Sequence, residues 1–327
     1  MEMKPQVFIS ARISKQALEL LGRHCALMLN KENSPLNTAE LVDSVKDAAG
    51  LLCSFRDPLN SEFMEKASHL KVISSFSAGY DNIDVEAATR HGIAITNTSG
   101  AVMDATADLA FGLLIAAARR IVEGDTYVRR ERRGQTTPPG GFKGADVYGK
   151  TLGIIGMGHI GRAVARRARG FNMAILYNQR RRLDGKLEGE LNARFVSLNE
   201  LLKESDFVSL HVPLTRETRH LIGEEELQMM KGTAFLVNTS RGPVVKESAL
   251  LQALQEKWIA GAALDVYEGE PEIVPGLTDL DNIVVTPHIG GVTLQTLRNM
   301  SLLAAQNLMD VLAGKRPQST VNPEVFQ

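Results

Sequence analysis

The chain has 327 residues, with 37 basic against 38 acidic side chains and a formal net charge of −1. That length exceeds what one ordinary core organises and suits two domains, while the balanced charge excludes the strong electrostatic pull toward nucleic acid or an anionic membrane surface. Its 2 cysteines, Cys25 and Cys53, sit in apolar stretches without metal-type spacing, so neither a disulfide framework nor a metal site is expected and a reducing cytoplasm fits.

The opening Met-Glu-Met-Lys-Pro-Gln has no apolar signal core, and the longest apolar run, Leu109 to Ala118, is too short to span a bilayer. A cytoplasmic α/β protein is expected. Residues 1 to 100 alternate short apolar runs with helix-period stretches. Val7 to Ser10, Gly50 to Phe55, Val72 to Phe76 and Ile93 to Thr96 predict strands; Lys15 to Gly22, Ala39 to Ala48, Glu62 to Ala67 and Val85 to His91 predict helices. Strands separated by helices build a parallel sheet. Val102 to Glu123 then reads as one helix, apolar on nearly every face from Ala105 to Ala118 and ending in Arg119-Arg120. A helix apolar all round must be buried all round. It packs between domains or supplies a subunit interface, and the interface reading is preferred, giving a homodimer through Val102 to Ile121. Gln135-Thr-Thr-Pro-Pro-Gly-Gly-Phe-Lys-Gly predicts a loop into the next strand.

The second half keeps this rhythm. Strands are predicted from Thr151, over Met173 to Asn178, Arg194 to Val196, Phe207 to Val212, Ala234 to Asn238, Gly261 to Val266 and Asn282 to Thr286. Helices are predicted from His159, over Glu247 to Lys257 and over Thr293 to Leu312. These strands complete a doubly wound nucleotide domain. The expected architecture is therefore two doubly wound parallel-sheet α/β lobes. One is a Rossmann NAD(P)-binding domain over 102–292; the other is a flavodoxin-like substrate domain from 1–101 and 293–327, with the site in the cleft between them.

Gly156-Met-Gly158-His-Ile-Gly161 interrupts the apolar strand and opens a helix. In a dinucleotide fingerprint the first glycine allows the tight turn, the second lets the backbone approach the pyrophosphate, and the third lets the helix lie on the strand. Free amides at the helix start then face the phosphates. Such a site ordinarily carries an acidic residue at the end of the next strand, for the ribose 2′-hydroxyl. Here that strand ends Tyr177-Asn178-Gln179-Arg180-Arg181-Arg182, with no carboxylate. A carboxylate would repel a 2′-phosphate, whereas amides and guanidinium forks donate to its oxygens. Asn178, Gln179, Arg180 and Arg181 thus predict NADPH over NADH, with NADH still usable.

Three later segments each place polar groups just past an apolar strand: Val237-Asn-Thr-Ser-Arg241-Gly-Pro, Ala263-Leu-Asp265-Val-Tyr-Glu-Gly-Glu270-Pro and Val285-Thr-Pro-His288-Ile-Gly-Gly. Strand C-termini in open α/β sheets face the ligand crevice. Together with Ser77-Ala-Gly-Tyr-Asp-Asn-Ile-Asp84, the glycine fingerprint and Gly170 to Asn178, they give the chain a resemblance to the D-isomer-specific 2-hydroxyacid dehydrogenases. Within that family the glyoxylate, hydroxypyruvate and 2-ketogluconate reductase branch is the most similar. The resemblance implies Arg241, Glu270 and His288 as catalytic residues, with Glu270 rather than Glu268 because it directly precedes Pro271.

The chemistry needs those types. Reducing a 2-oxo acid delivers hydride to C2 while the carbonyl oxygen takes a proton, which His288 as imidazolium is suited to give. Glu270 beside it favours the charged imidazole. Arg241 supplies a permanent charge that polarises the ketone and holds the substrate carboxylate. The resemblance further implies the amides of Ala78 and Gly79 on the carboxylate, with Leu52 close by. It implies His159 and Ile160 with Gly156, Gly158 and Gly161 at the pyrophosphate, Pro213 and Thr218 along the ribose, the Thr239 backbone near the nicotinamide ribose and Asp265 at the carboxamide. Thr106, Gly290 and Gly291 complete that pocket. His24, His69, His91, His211 and His220 receive no chemistry.

Other readings remain. Formate dehydrogenases carry glutamine where Glu270 stands, and long phosphoglycerate dehydrogenases need a further domain. A compact phosphoglycerate or D-lactate dehydrogenase is disfavoured by the arginine-rich second strand end. A dinucleotide-sensing corepressor would share the fold and could keep the same residues.

Overall fold

In the computed structural model, which describes residues 4–30, 34–130 and 141–327, the chain folds as two α/β units, each with its own parallel sheet. One unit is Met1–Val102 with Gly291–Gln327; the other is Met103–Gly290.

The first unit runs β1 (Gln6–Ile9), α1 (Lys15–His24), β2 (Ala26–Leu29), α2 (Thr38–Val45), β3 (Gly50–Cys53), α3 (Ser61–Lys66), β4 (Val72–Ser75), α4 (Val85–Arg90) and β5 (Ala94–Thr96). Strand order is β2-β1-β3-β4-β5 with all pairs parallel, the order of a flavodoxin-like sheet. Polar residues start the helices: Ser14, Asn37, Asn60 and Asp84 accept from the amides of Ala17, Glu40, Phe63 and Ala87, which satisfies donors that a helix cannot pair internally. The inner strands β3 and β4 are buried throughout, as helices on both faces require.

Strand β2 departs from the sequence reading, which has no element there. Ala26-Leu-Met-Leu29 follows α1 closely and is made of good helix formers, but it pairs with β1 from Gln6↔Ala26 to Ile9↔Leu29 and lies partly exposed at the sheet edge. Tertiary pairing overrides local preference.

The long apolar helix is also two helices, α5 (Ser99–Ala118) and α6 (Ile121–Arg130), not one. The carbonyl of Ala118, which a continuing helix would offer to residue 122, accepts instead from the amide of Ala145 at 2.8 Å, and Arg120 turns left-handed at φ 54°. Nor is α5 buried all round. Ala107, Ala110, Phe111, Leu113, Leu114 and Ala118 enter the core of the second unit, whereas Asp104 and Asp108 are exposed and engage Arg167. By length and composition α5 would suffice to cross a bilayer, which counting only the unbroken run misses; its packing is that of a core helix. The loop predicted at Gln135 lies largely outside the described residues.

The second unit continues with β6 (Thr151–Ile155), α7 (His159–Arg169), β7 (Ala174–Asn178), α8 (Gly185–Leu191), β8 (Ala193–Phe195), α9 (Leu198–Glu204), β9 (Phe207–Leu210), α10 (Glu224–Met229), β10 (Phe235–Asn238), α11 (Glu247–Gln255), β11 (Gly261–Leu264) and β12 (Ile283–Val285); α12 (Leu294–Leu312) follows in the first unit. The parallel order β12-β11-β10-β9-β6-β7-β8 places the strand-order reversal between β6 and β9, the switch point where such sheets bind ligands. Helices α8, α9 and α10 are short additions to the sequence reading. In the first unit α12 lies on β3 and β4, where Ser74 donates to the Ala304 carbonyl at 2.9 Å. The buried Asn322 side chain then pairs with the Ile95 amide and the Ile93 carbonyl.

Candidate active site

Strand β6 delivers the chain to Gly156, whose φ of +95° belongs to glycine; a Cβ there would stand 2.5 Å from the His211 carbonyl oxygen. A Cβ on Gly161 would stand 2.2 Å from the Gly156 carbonyl oxygen, so α7 can rest on the turn only with glycine there. Gly158 faces open space and caps α7 without a side-chain hydrogen bond. Bare amides around His159 and Ile160 beside that opening fit the pyrophosphate of a dinucleotide.

At the end of β7, Asn178 donates to the Val196 carbonyl at 2.8 Å. Gln179 accepts from the Met157 amide at 3.1 Å, tying this loop to the glycine turn. Arg182 places a fork on Glu188 at 2.9 and 2.8 Å, and Tyr177 donates to the same carboxylate at 2.5 Å. Those bonds, from Arg182 first and Tyr177 next, hold the Glu188 carboxyl down at about 2. Arg180 and Arg181 are exposed and within 4 Å pair with no carboxylate among the described residues, although the Arg180 charge reaches Glu217.

Of the other expected cofactor residues, Thr218 donates to the Pro213 carbonyl at 2.6 Å and receives the Thr215 amide. Thr239, just past β10, is 7% exposed, and its buried hydroxyl has no hydrogen-bond partner among the described residues. Thr106 and the Asp265 carboxylate both border Gly290. Gly291 lies in the first unit against Val102. That unit also holds Leu52, fully buried on β3, and Ala78 with Gly79 in the turn after β4, where Asn97 donates to the Ala78 carbonyl at 2.8 Å.

The three segments after β10, β11 and β12 meet within the second unit. His288 Nδ1 and Glu270 Oε2 are 2.8 Å apart, and the other Glu270 oxygen accepts from the Tyr267 amide at 3.0 Å. His288 has φ +56°, a left-handed conformation uncommon outside glycine. Its turn is held by Asp265, 1% exposed, which accepts from the Thr286 hydroxyl and the Ile289 amide with one oxygen and from the Gly290 amide with the other. Burial pushes the Glu270 carboxyl up, but the His288 and Tyr267 hydrogen bonds and the charges of His288 and Arg241 together hold it below the usual carboxylate value. Glu270 is thus an anion beside the imidazole, and Arg241 is near enough to act on it. Arg241 also donates to the Ser240 carbonyl at 2.8 Å.

The structure adds a second pair that the sequence reading leaves out. His220 Nε2 lies 2.5 Å from Glu268 Oε1, and His220 is left-handed as well, at φ 53°. Glu247, at the start of α11 and 1% exposed, accepts from the Glu268 amide at 2.5 Å. From sequence alone Glu247 looks like any acidic residue in a first helical turn.

A family model described as D-isomer specific 2-hydroxyacid dehydrogenase, NAD binding domain, matches residues 111–290. A glyoxylate reductase of Korarchaeum cryptofilum is 49% identical over 327 residues, covering 99% of this chain and 98% of the relative. The chain belongs to the D-isomer specific 2-hydroxyacid dehydrogenases. As a member it is an oxidoreductase that uses a nicotinamide dinucleotide. Among solved members, the glyoxylate reductase from Paecilomyes thermophila superposes with a TM-score of 0.89 at 38% identity, over 99% of this chain and 100% of that one. The NADPH-dependent glyoxylate/hydroxypyruvate reductase from Sinorhizobium meliloti, in complex with NADP and malonate, also gives 0.89, at 28% identity over 99% and 98%. Two α/β units with parallel sheets are therefore the dehydrogenase architecture of this family.

Proposed function

We propose that this dehydrogenase is an NADPH-preferring reductase of small 2-oxo acids, with glyoxylate and hydroxypyruvate as substrates and 2-ketogluconate as a larger one, and that its products are D-2-hydroxy acids. The observation that carries the reading is the His288–Glu270 pair at 2.8 Å beside Arg241. The dinucleotide, when bound, supplies hydride for C2 of the substrate.

The chain's own groups do the rest. With His288 Nδ1 on Glu270, the imidazolium is assigned to give a proton to the carbonyl oxygen. Glu270 stabilises the imidazolium before transfer and fixes the ring. Arg241 stabilises negative charge on the ketone oxygen and binds the substrate carboxylate. The unit containing Leu52, Ala78 and Gly79 is assigned to substrate, with the Ala78 and Gly79 amides on the carboxylate. The unit containing the glycine fingerprint is assigned to cofactor. Arg180 and Arg181 are assigned to the 2′-phosphate and Arg182 to shaping their loop. The protein is assigned to the cytoplasm as a homodimer associating through α5, whose test is mass by light scattering.

A panel of 2-oxo acids assayed with NADPH and with NADH tests the substrate and cofactor assignments together. Glyoxylate and hydroxypyruvate are expected to turn over with the higher kcat/KM on NADPH. A clear NADH preference overturns the cofactor assignment, and dinucleotide binding without turnover of any 2-oxo acid overturns the reductase reading.

A further inference from the structure

Glu270 sits at the tip of a narrow turn. Gly269 and Glu272 form an antiparallel bridge, the Glu272 amide donates to the Gly269 carbonyl at 3.0 Å, and Glu270-Pro271 lies between them. A short turn of this kind has little packing of its own, so its aim depends on what grips its base.

Both sides of that base end on one side chain. Glu247 Oε1 accepts from the Glu268 amide at 2.5 Å and Oε2 from the Val274 amide at 3.4 Å, one bond before the tip and one after it. The grip is reciprocal, since the Glu247 amide donates to Glu268 Oε2 at 3.2 Å, while His220 holds the other Glu268 oxygen. Glu247 is itself fixed at the start of α11, five residues after Gly242. That glycine packs so closely on the Tyr267 and Glu268 backbone that an added Cβ would fall 1.8 Å from the Tyr267 carbonyl. Arg241 immediately precedes Gly242. The Arg241 segment and the Glu270 turn are therefore joined by a backbone contact and by one buried carboxylate.

A carboxylate 1% exposed is costly to bury unless its oxygens are occupied. Burial does push the Glu247 carboxyl up, the Glu268 and Val274 amides pull it down, and the charges of Glu268 and Glu270 push it up again. Helix formation at α11 does not require it, since an acidic first-turn residue serves equally well exposed.

We propose that Glu247 is a positioning residue for Glu270: through the Glu268 and Val274 amides it fixes the turn that holds Glu270 against His288. The inference rests on the proton-transfer reading of that pair. Among the described residues the Glu247 contacts are with Glu268 and Val274 rather than His288, and it acts on the rate only by where it puts Glu270.

The test compares Glu247→Gln and Glu247→Asp with His288→Asn in the full-length protein. It reads kcat and KM for glyoxylate, directly measured NADPH affinity and thermal stability. Glutamine keeps one acceptor oxygen for two amides. Glu247→Gln is expected to lower kcat on the order of tenfold to a hundredfold, as a misplaced catalytic group does, with KM for glyoxylate and NADPH affinity unchanged. Glu247→Asp keeps the charge on a shorter arm and should recover part of the loss. If Glu247→Gln does not fold, Glu247→Asp carries the test, with a smaller loss of kcat and the same unchanged KM. Parental kcat in the folded variant overturns the proposal, as does a lower melting temperature with kcat, KM and NADPH affinity all weakened together. Should His288→Asn keep parental kcat, the proton-donor reading fails instead; a dead His288→Asn beside a parental Glu247→Gln removes only the positioning role.

Discussion

Two histidine–glutamate pairs have their glutamates on one loop, two residues apart, and by exposure the pairs are nearly the same. His288 and Glu270 have side chains 36% and 29% exposed; His220 and Glu268 have 37% and 26%. Both histidines are left-handed. What separates them is the rest of each carboxylate's bonding. Each carboxylate feels a neighbouring arginine, Arg241 beside Glu270 and Arg219 beside Glu268. Glu270 accepts from the amide of Tyr267 in its own turn, whereas Glu268 accepts from the amide of Glu247 and belongs to a brace inside the protein. A histidine–carboxylate pair is therefore no signature of proton transfer by itself. The groups beyond the pair decide whether it reacts or holds.

Removing one member at a time tests that distinction. His288→Ala should lower the reductive kcat by about 10² to 10⁴, the usual contribution of a positioned general acid, measured by NADPH-coupled glyoxylate reduction. Arg241→Lys should lower kcat/KM on the order of a hundredfold, because an ammonium cannot reproduce a bidentate fork; an unchanged value would mean that the carboxylate is held elsewhere. Glu270→Gln should cost roughly tenfold in kcat near neutral pH, since the amide no longer sets a carboxylate against His288 Nδ1.

The stability of Glu270→Gln should also respond differently to acid. A carboxyl held below its ordinary value stabilises the fold above that value and loses the contribution as pH falls through its folded one. The parent should lose stability over that acidic range more steeply than Glu270→Gln in chemical denaturation. His220→Gln is the contrasting variant. It should lower kcat less than Glu247→Gln does, because the Glu247 amide still holds the other Glu268 oxygen, and a loss as large as that of His288→Ala would erase the distinction between the pairs.

Much of this was legible in the sequence for a physical reason: strands covered on both faces are continuous apolar runs, and β3, β4, β9, β10 and β11 announce themselves that way. Edge strand β2 did not, because its half-exposed residues carry no such pattern. The break at Arg119-Arg120 was hidden because its cause is the Ala145 amide, 27 positions beyond Ala118. Glu270 and His288 could be singled out from neighbours in sequence and family resemblance. Glu247 could not, since its partners are backbone amides of another segment, and an amide has no signature in the amino-acid code. The arginines after β7 were legible as a charge cluster, but only the structure separates Arg182, tied to Glu188, from Arg180 and Arg181.

The most direct test of the central claim is glyoxylate reduction by His288→Asn beside the parent at neutral pH, with saturating NADPH. The variant should bind NADPH as the parent does and be slower in kcat by at least about a hundredfold. A variant that keeps most of the parental kcat would contradict the assignment of His288 as the proton donor.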